Sequence, residues 1–156
     1  MFQWGKVVKN GIAATAVMEI FYRVSNLVVH HGIDVPYANG KSVALTSPFL
    51  IYLVGYVIDL IGGIAFSALY ARFVRPKGYK SGMIFAVLFV WLIIDGFLFE
   101  PMGPAGILML DSGFKAVAVN LFAHAVYGAV LGIMFRRDSL KAGGSLPVRG
   151  ARISSL

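Results

Sequence analysis

The sequence predicts an all-α integral membrane protein: a bundle of four transmembrane helices with both termini in the cytoplasm. Of its 156 residues, 58% are hydrophobic and only 13% are charged. Together with a mean hydropathy of +0.79, this is far more apolar than a water-soluble domain. Four stretches are long enough to cross ~30 Å of hydrocarbon at ~1.5 Å per residue. The 14 Lys and Arg residues gather at the ends of those stretches, as topology determinants do.

The first span covers 7–29. Its apolar stretch is too long for a cleavable signal, carries Glu19 and Arg23, and is not followed by a small-residue cleavage site, so it is expected to remain as a helix. The second covers 48–73 and opens on Ser47 and Pro48, an N-cap followed by proline at the first helical position. The third covers 82–99 and is stopped by Glu100, Pro101, Gly103 and Pro104. Asp111 and Ser112 stand as caps before the fourth, 114–135. Residues 1–137 thus form the transmembrane domain. The stretch 138–156 is basic, rich in Gly and Ser and without periodicity, and is expected to be a disordered cytoplasmic tail held loosely at anionic headgroups.

Lys6 and Lys9 stand at the start of the first span, Arg72, Arg75, Lys77 and Lys80 fill the second loop, and Arg136, Arg137, Lys141, Arg149 and Arg152 follow the last span. The other two loops hold only Lys41 and Lys115 as cations, so the basic side is read as cytoplasmic. The same distribution argues against nucleic acid as the partner, despite a formal charge of +7. The absence of cysteine excludes disulfides, thiolate metal sites and thiol redox chemistry. Compact loops and the lack of a targeting peptide suit the plasma (inner) membrane of a prokaryote.

An internal repeat is suggested by setting Asp59, Gly63 and Ser67 over His124, Gly128 and Gly132, with Arg72 and Arg137 following. On this reading the chain is two helical hairpins in parallel repeat. The small-residue pairs Gly63 with Ser67 and Gly128 with Gly132 let helices approach closely, with packing inside the bundle favoured over a dimer interface.

Ionisable groups at membrane depth are costly and often mark function. Here they are Glu19, Arg23, Asp59, Asp95 and His124. Steps of three and four residues align Glu19, Tyr22, Arg23, Asn26 and His30 on the first helix. They likewise align Tyr52, Tyr56 and Asp59 on the second, and Asn120, His124 and Tyr127 on the fourth. The candidate ligand- or ion-binding residues are therefore Glu19, Arg23, Asp59, Asp95, His124, Tyr56 and Tyr127. Glu19 and Arg23 have the spacing of an intrahelical ion pair, Asp59 and His124 face each other if the repeat is real, and Asp95 is read as meeting water near the outer interface. A metal trio of Glu19, Asp59 and His124 has suitable chemistry but no recognised spacing. His30, His31 and Asp34 form a second polar cluster, and the apolar stretch 105–110 is read as an interfacial segment that lies on the outer surface or contacts another subunit.

No haem, nucleotide or thiolate-metal signature is present, and no nucleophile elbow or zinc-protease helix appears, so the cofactor is left unknown. The leading expectation is a binding or accessory protein, a subunit of a larger membrane complex. The alternatives are a transporter or channel for protons, cations or small cationic substrates, and a membrane enzyme acting on a lipid or quinone-like substrate with His124 as general base. The expected partners are membrane lipids, further copies of the chain or other membrane subunits.

Overall fold

The computed structural model describes residues 3–30, 34–43, 46–99 and 107–143, and every regular element among them is helical. In chain order these are α1 (Trp4–Val29), α2 (Val35–Lys41), α3 (Pro48–Phe73), α4 (Tyr79–Ile84), a π-helical segment (Phe85–Phe99), a 3-10 turn (Ile107–Ser112) and α5 (Phe114–Gly143). α4 runs directly into the π segment, and the two make one span. Four helices, Trp4–Val29, Pro48–Phe73, Tyr79–Phe97 and Phe114–Leu140, are long and apolar enough to cross a membrane. Large apolar side chains such as Ile20, Leu27, Leu53, Ile61, Leu88 and Phe122 are exposed on the outside of the bundle, where acyl chains replace water as solvent. This is the fold of a multi-pass membrane protein.

α1 packs between α3 and α5, and α5 packs in turn against α4 and the π segment. Lipid is as apolar as leucine, so close approach of small residues drives these contacts. At the α1–α3 seam, a Cβ on Gly63 would stand 1.9 Å from the Thr15 hydroxyl oxygen. At the α4–α5 seam, a Cβ on Gly82 would stand 1.9 Å from the Gly128 carbonyl oxygen, and one on Gly128 would stand 2.2 Å from that of Gly82. Polar bonds lock the packing: Ser67 Oγ donates to the Val7 carbonyl at 2.8 Å, and the Tyr127 hydroxyl donates to the Gly63 carbonyl at 2.7 Å. The small residues thus act within the bundle.

The basic loops and helix ends lie at one end. There Tyr70 is fully buried between Phe85 and Phe135, with ring centroids 5.5 and 5.6 Å away. Lys77 closes α3 by donating to the carbonyls of Tyr70, Ala71 and Val74, with its ammonium 4.5 Å from the centre of the Tyr70 ring. A cation suits the negative end of a helix dipole. α5 continues to Gly143, so the first residues of the segment expected to be disordered are helical. Between Arg136 and Ala142 there is neither Gly nor Pro to stop the helix. Asp138 on that extension accepts hydrogen bonds from Lys9 at 3.3 Å and Asn10 at 3.2 Å, fastening α5 to α1.

Two departures from simple periodicity position the interior. In the third span the buried residues Gly82, Ala86, Trp91 and Gly96 recur at a step of four and then two of five, with buried Val90 adjacent to Trp91. That spacing matches the i to i+5 bonding of a π-helix, a form concentrated at functional sites. The connection after α1, expected to be a loop, contains α2. Asp34 caps it by accepting from the Tyr37 amide at 3.2 Å, with Pro36 in the first turn. α2 folds back along α3 so tightly that a Cβ on Gly40 would meet the Ile51 carbonyl oxygen at 1.8 Å, and one on Gly55 the Pro36 carbonyl oxygen at 1.7 Å.

Candidate functional site

The polar residues that the sequence places at membrane depth meet in the half of the bundle away from the basic end, but their pairing differs from the expected one. Arg23 makes no ion pair with Glu19, on which its charge acts only at a distance. Its guanidinium reaches outward, 46% exposed, to the Asp34 carboxylate at 3.3 Å and the Tyr56 hydroxyl at 3.1 Å. Burying the aliphatic stem while the head seeks the interface is the usual behaviour of a long cation near a helix end. Asp34 is already there as the cap of α2, and Tyr52 donates to it at 2.7 Å. Burial pushes the Asp34 carboxyl up, but hydrogen bonds from Tyr52, Arg23 and the Tyr37 amide outweigh it and hold the group below the usual carboxylate range. His31 of the expected His30, His31 and Asp34 cluster lies outside the described residues, and Asp34 is committed to Arg23 and Tyr52.

His124 is paired with Asp95 rather than with Asp59: its Nε2 lies 2.7 Å from an Asp95 carboxylate oxygen. Asp95 is therefore engaged by His124, with its side chain still 27% exposed. The register of the π segment carries it to the α5 face. His124 Nδ1 is 2.9 Å from the Asn120 carbonyl. A carbonyl can only accept, so Nδ1 carries a proton in this contact. Both ring nitrogens are engaged, which leaves no free lone pair for general-base chemistry on a substrate.

Glu19 has the opposite situation. It is 9% exposed, and neither carboxylate oxygen has a hydrogen-bond partner. Asp59 accepts from Asn39 of α2 through one oxygen, while its other oxygen is buried without a partner. The Thr15 hydroxyl and the Trp91 indole nitrogen are likewise buried and unpartnered. These four groups come from α1, α3 and the third span, and Asp59 is within electrostatic range of both Glu19 and Asp95. Such orphaned groups are rare in native interiors and call for an explanation such as an unseen ion or water. Tyr127 is consumed by the Gly63 carbonyl and Tyr56 by Arg23, so both are structural supports of the layer.

The metal trio is not assembled. Among the described residues no group of three or more His, Asp or Glu is placed to hold a metal ion, and His124 is paired with Asp95. The layer is instead a carboxylate site with neutral polar walls, chemistry suited to a monovalent cation or a proton. Sequence reasoning missed Asn39, which no periodicity marks, and Asp34 as a ligand of Arg23, although Asp34 two residues before Pro36 is a readable helix start. Asn120, which accepts from Tyr22 and donates to Met109 Sδ at 2.8 Å, lies on the expected stripe and supports the His124 face. No protein-family model, curated protein or solved structure matches this chain.

Proposed function

We propose that the protein binds a small monovalent cation, a proton included, in the polar layer of its bundle and passes it across the membrane. The observation that carries this reading is Glu19, buried with both carboxylate oxygens unpartnered while the neighbouring Arg23 is spent on Asp34. An isolated carboxylate in a low-dielectric interior is tolerated only if it takes up a proton or holds a cation. Asp59 and the Thr15 hydroxyl extend the acceptor set across α1 and α3. The positive-inside pattern orients the termini to the cytoplasm, so Glu19 and Asp59 are reached from outside past α2, whose Asn39 touches Asp59. The two glycine seams fit a chain built of two hairpins in parallel repeat, a plan used by transporters. The accessory-subunit expectation gains no observation of its own from the described residues, and the enzyme reading loses its base at His124.

The test is flux in proteoliposomes. Wild-type protein is expected to dissipate an imposed gradient of protons or of one monovalent cation faster than empty vesicles, and Glu19→Gln, folded to the same helical content, is expected to fall to the empty-vesicle rate. Wild-type flux in Glu19→Gln, or no wild-type flux with protons, Na⁺, K⁺ or small ammonium ions, would overturn the proposal.

A further inference from the structure

At the basic end, far from the carboxylate layer, two clefts lie side by side. One, of about 390 Å³, opens between the start of α1, the α3–α4 loop and the end of α5, with Lys6, Arg75 and Lys77 on its wall. The other, of about 670 Å³, runs along the outside of α3 beside Trp4, over Leu69, Phe73 and the stem of Arg72. They share Ala71 and Arg75, so a cleft walled by Lys6, Arg75 and Lys77 continues into a more apolar groove on the outside of the bundle.

The charges in the first cleft are not equivalent. Lys77 is spent on the α3 carbonyls, and burial, reinforced by Arg75, pushes its ammonium down to about 8. Asp138, the acidic wall residue, is already bonded by Lys9 and Asn10. Lys6 lies within electrostatic range of Asp138 and Arg75 within that of Lys77, so the cleft sets three cations against one acid and keeps an excess of positive charge, with Arg72 at the rim of the groove. Basic pockets between transmembrane helices on this side are suited to anionic headgroups, and Trp4 is the residue type that anchors at the headgroup level.

The geometry points to a binding site for one anionic phospholipid, its phosphate and charged headgroup between Lys6 and Arg75 and an acyl chain in the groove beside Trp4. Charge complementarity selects an anionic over a zwitterionic lipid, and continuity with the apolar groove selects a lipid over a soluble phosphate.

The full chain in detergent, stripped of lipid, is titrated with phosphatidylglycerol and phosphatidylcholine of matched acyl chains, and separately with inorganic phosphate, with native mass spectrometry counting bound molecules. Wild type is expected to retain one phosphatidylglycerol in preference to phosphatidylcholine. Lys6→Gln and Arg75→Gln are each expected to reduce that preference about fivefold, whereas Lys41→Gln, at the opposite end, leaves it unchanged. Thermal unfolding in zwitterionic detergent identifies any variant that has lost its fold, and Arg72→Gln at the rim then serves in its place. Equal retention of the two lipids, an unchanged preference in the variants, or saturation by inorganic phosphate that displaces the lipid overturns the assignment.

Discussion

The hairpin of α1 and α3 and the hairpin of the third span and α5 are packed alike and charged differently. Each is closed by a glycine seam, Gly63 against Thr15 in one and Gly82 against Gly128 in the other. In the second hairpin the acid meets its base: Asp95 and His124 Nε2 are 2.7 Å apart. In the first, Glu19 and Asp59 are two acids on facing helices, and the one cation within reach, Arg23, has turned to Asp34. The seam depends on side-chain size and tolerates either arrangement, so packing does not account for the unpaired acids. The acid of the second hairpin has its hydrogen-bonding partner within the bundle, whereas neither carboxylate oxygen of Glu19 in the first has one.

The largest expected effect comes from reversing that difference. Asp95→Ala removes the acid 2.7 Å from His124 Nε2 and is expected to destabilise the protein by about 3 kcal/mol, the lower end of the range for breaking a buried pair, since Asp95 is partly exposed. Glu19→Gln removes a carboxylate that has no partner and is expected to be neutral or stabilising. Thermal unfolding in detergent, followed by loss of helical circular dichroism, ranks the two. If Glu19→Gln proves the more damaging, Glu19 has a structural partner and the contrast between the hairpins disappears.

The spans and polar stripes were legible because hydropathy and helical spacing are local properties of the chain. The pairings were not, because each is decided by an element whose placement is not local. Arg23 has an acid four residues away on its own helix and another on α2, and the choice depends on α2 folding back along α3. His124 meets Asp95 because the third span is wound as a π-helix, which shifts the residues beyond Trp91 relative to an α-helical projection. Asn39 reaches Asp59 from a segment that reads only as a loop, although Asp59 lies ~16 Å along α3 from Pro48 at ~1.5 Å per residue.

The seams themselves are separable by what each glycine faces. Gly128→Ala drives a methyl group into the Gly82 backbone, which can yield only if the helices part, and is expected to cost about 2 kcal/mol by overpacking. Gly63→Ala meets the Thr15 hydroxyl, a side-chain atom that can rotate away, and is expected to cost about 1 kcal/mol or less. Gly62→Ala, with its nearest neighbour 3.9 Å away, is the neutral control. Equal losses at Gly128 and Gly63 would mean that the first seam is as rigid as the second.

The smallest effect belongs to the outer cluster that draws Arg23 away from Glu19. The Asp34 carboxyl is held below its ordinary range in the folded protein, so between the folded and unfolded values the unfolded chain binds more protons. The stability it contributes is therefore complete above the ordinary carboxylate range and is lost as pH falls through the depressed value. For a partly exposed ion pair this is less than about 1 kcal/mol. Asp34→Asn is expected to remove that contribution at neutral pH and flatten the acid limb of the unfolding curve. It also frees Arg23, four residues from Glu19 on the same helix. If Arg23 then neutralises Glu19, flux falls in Asp34→Asn although no acid of the inner layer has been changed. Unchanged flux would place Arg23 beyond reach of Glu19 and make the outer cluster a helix cap alone.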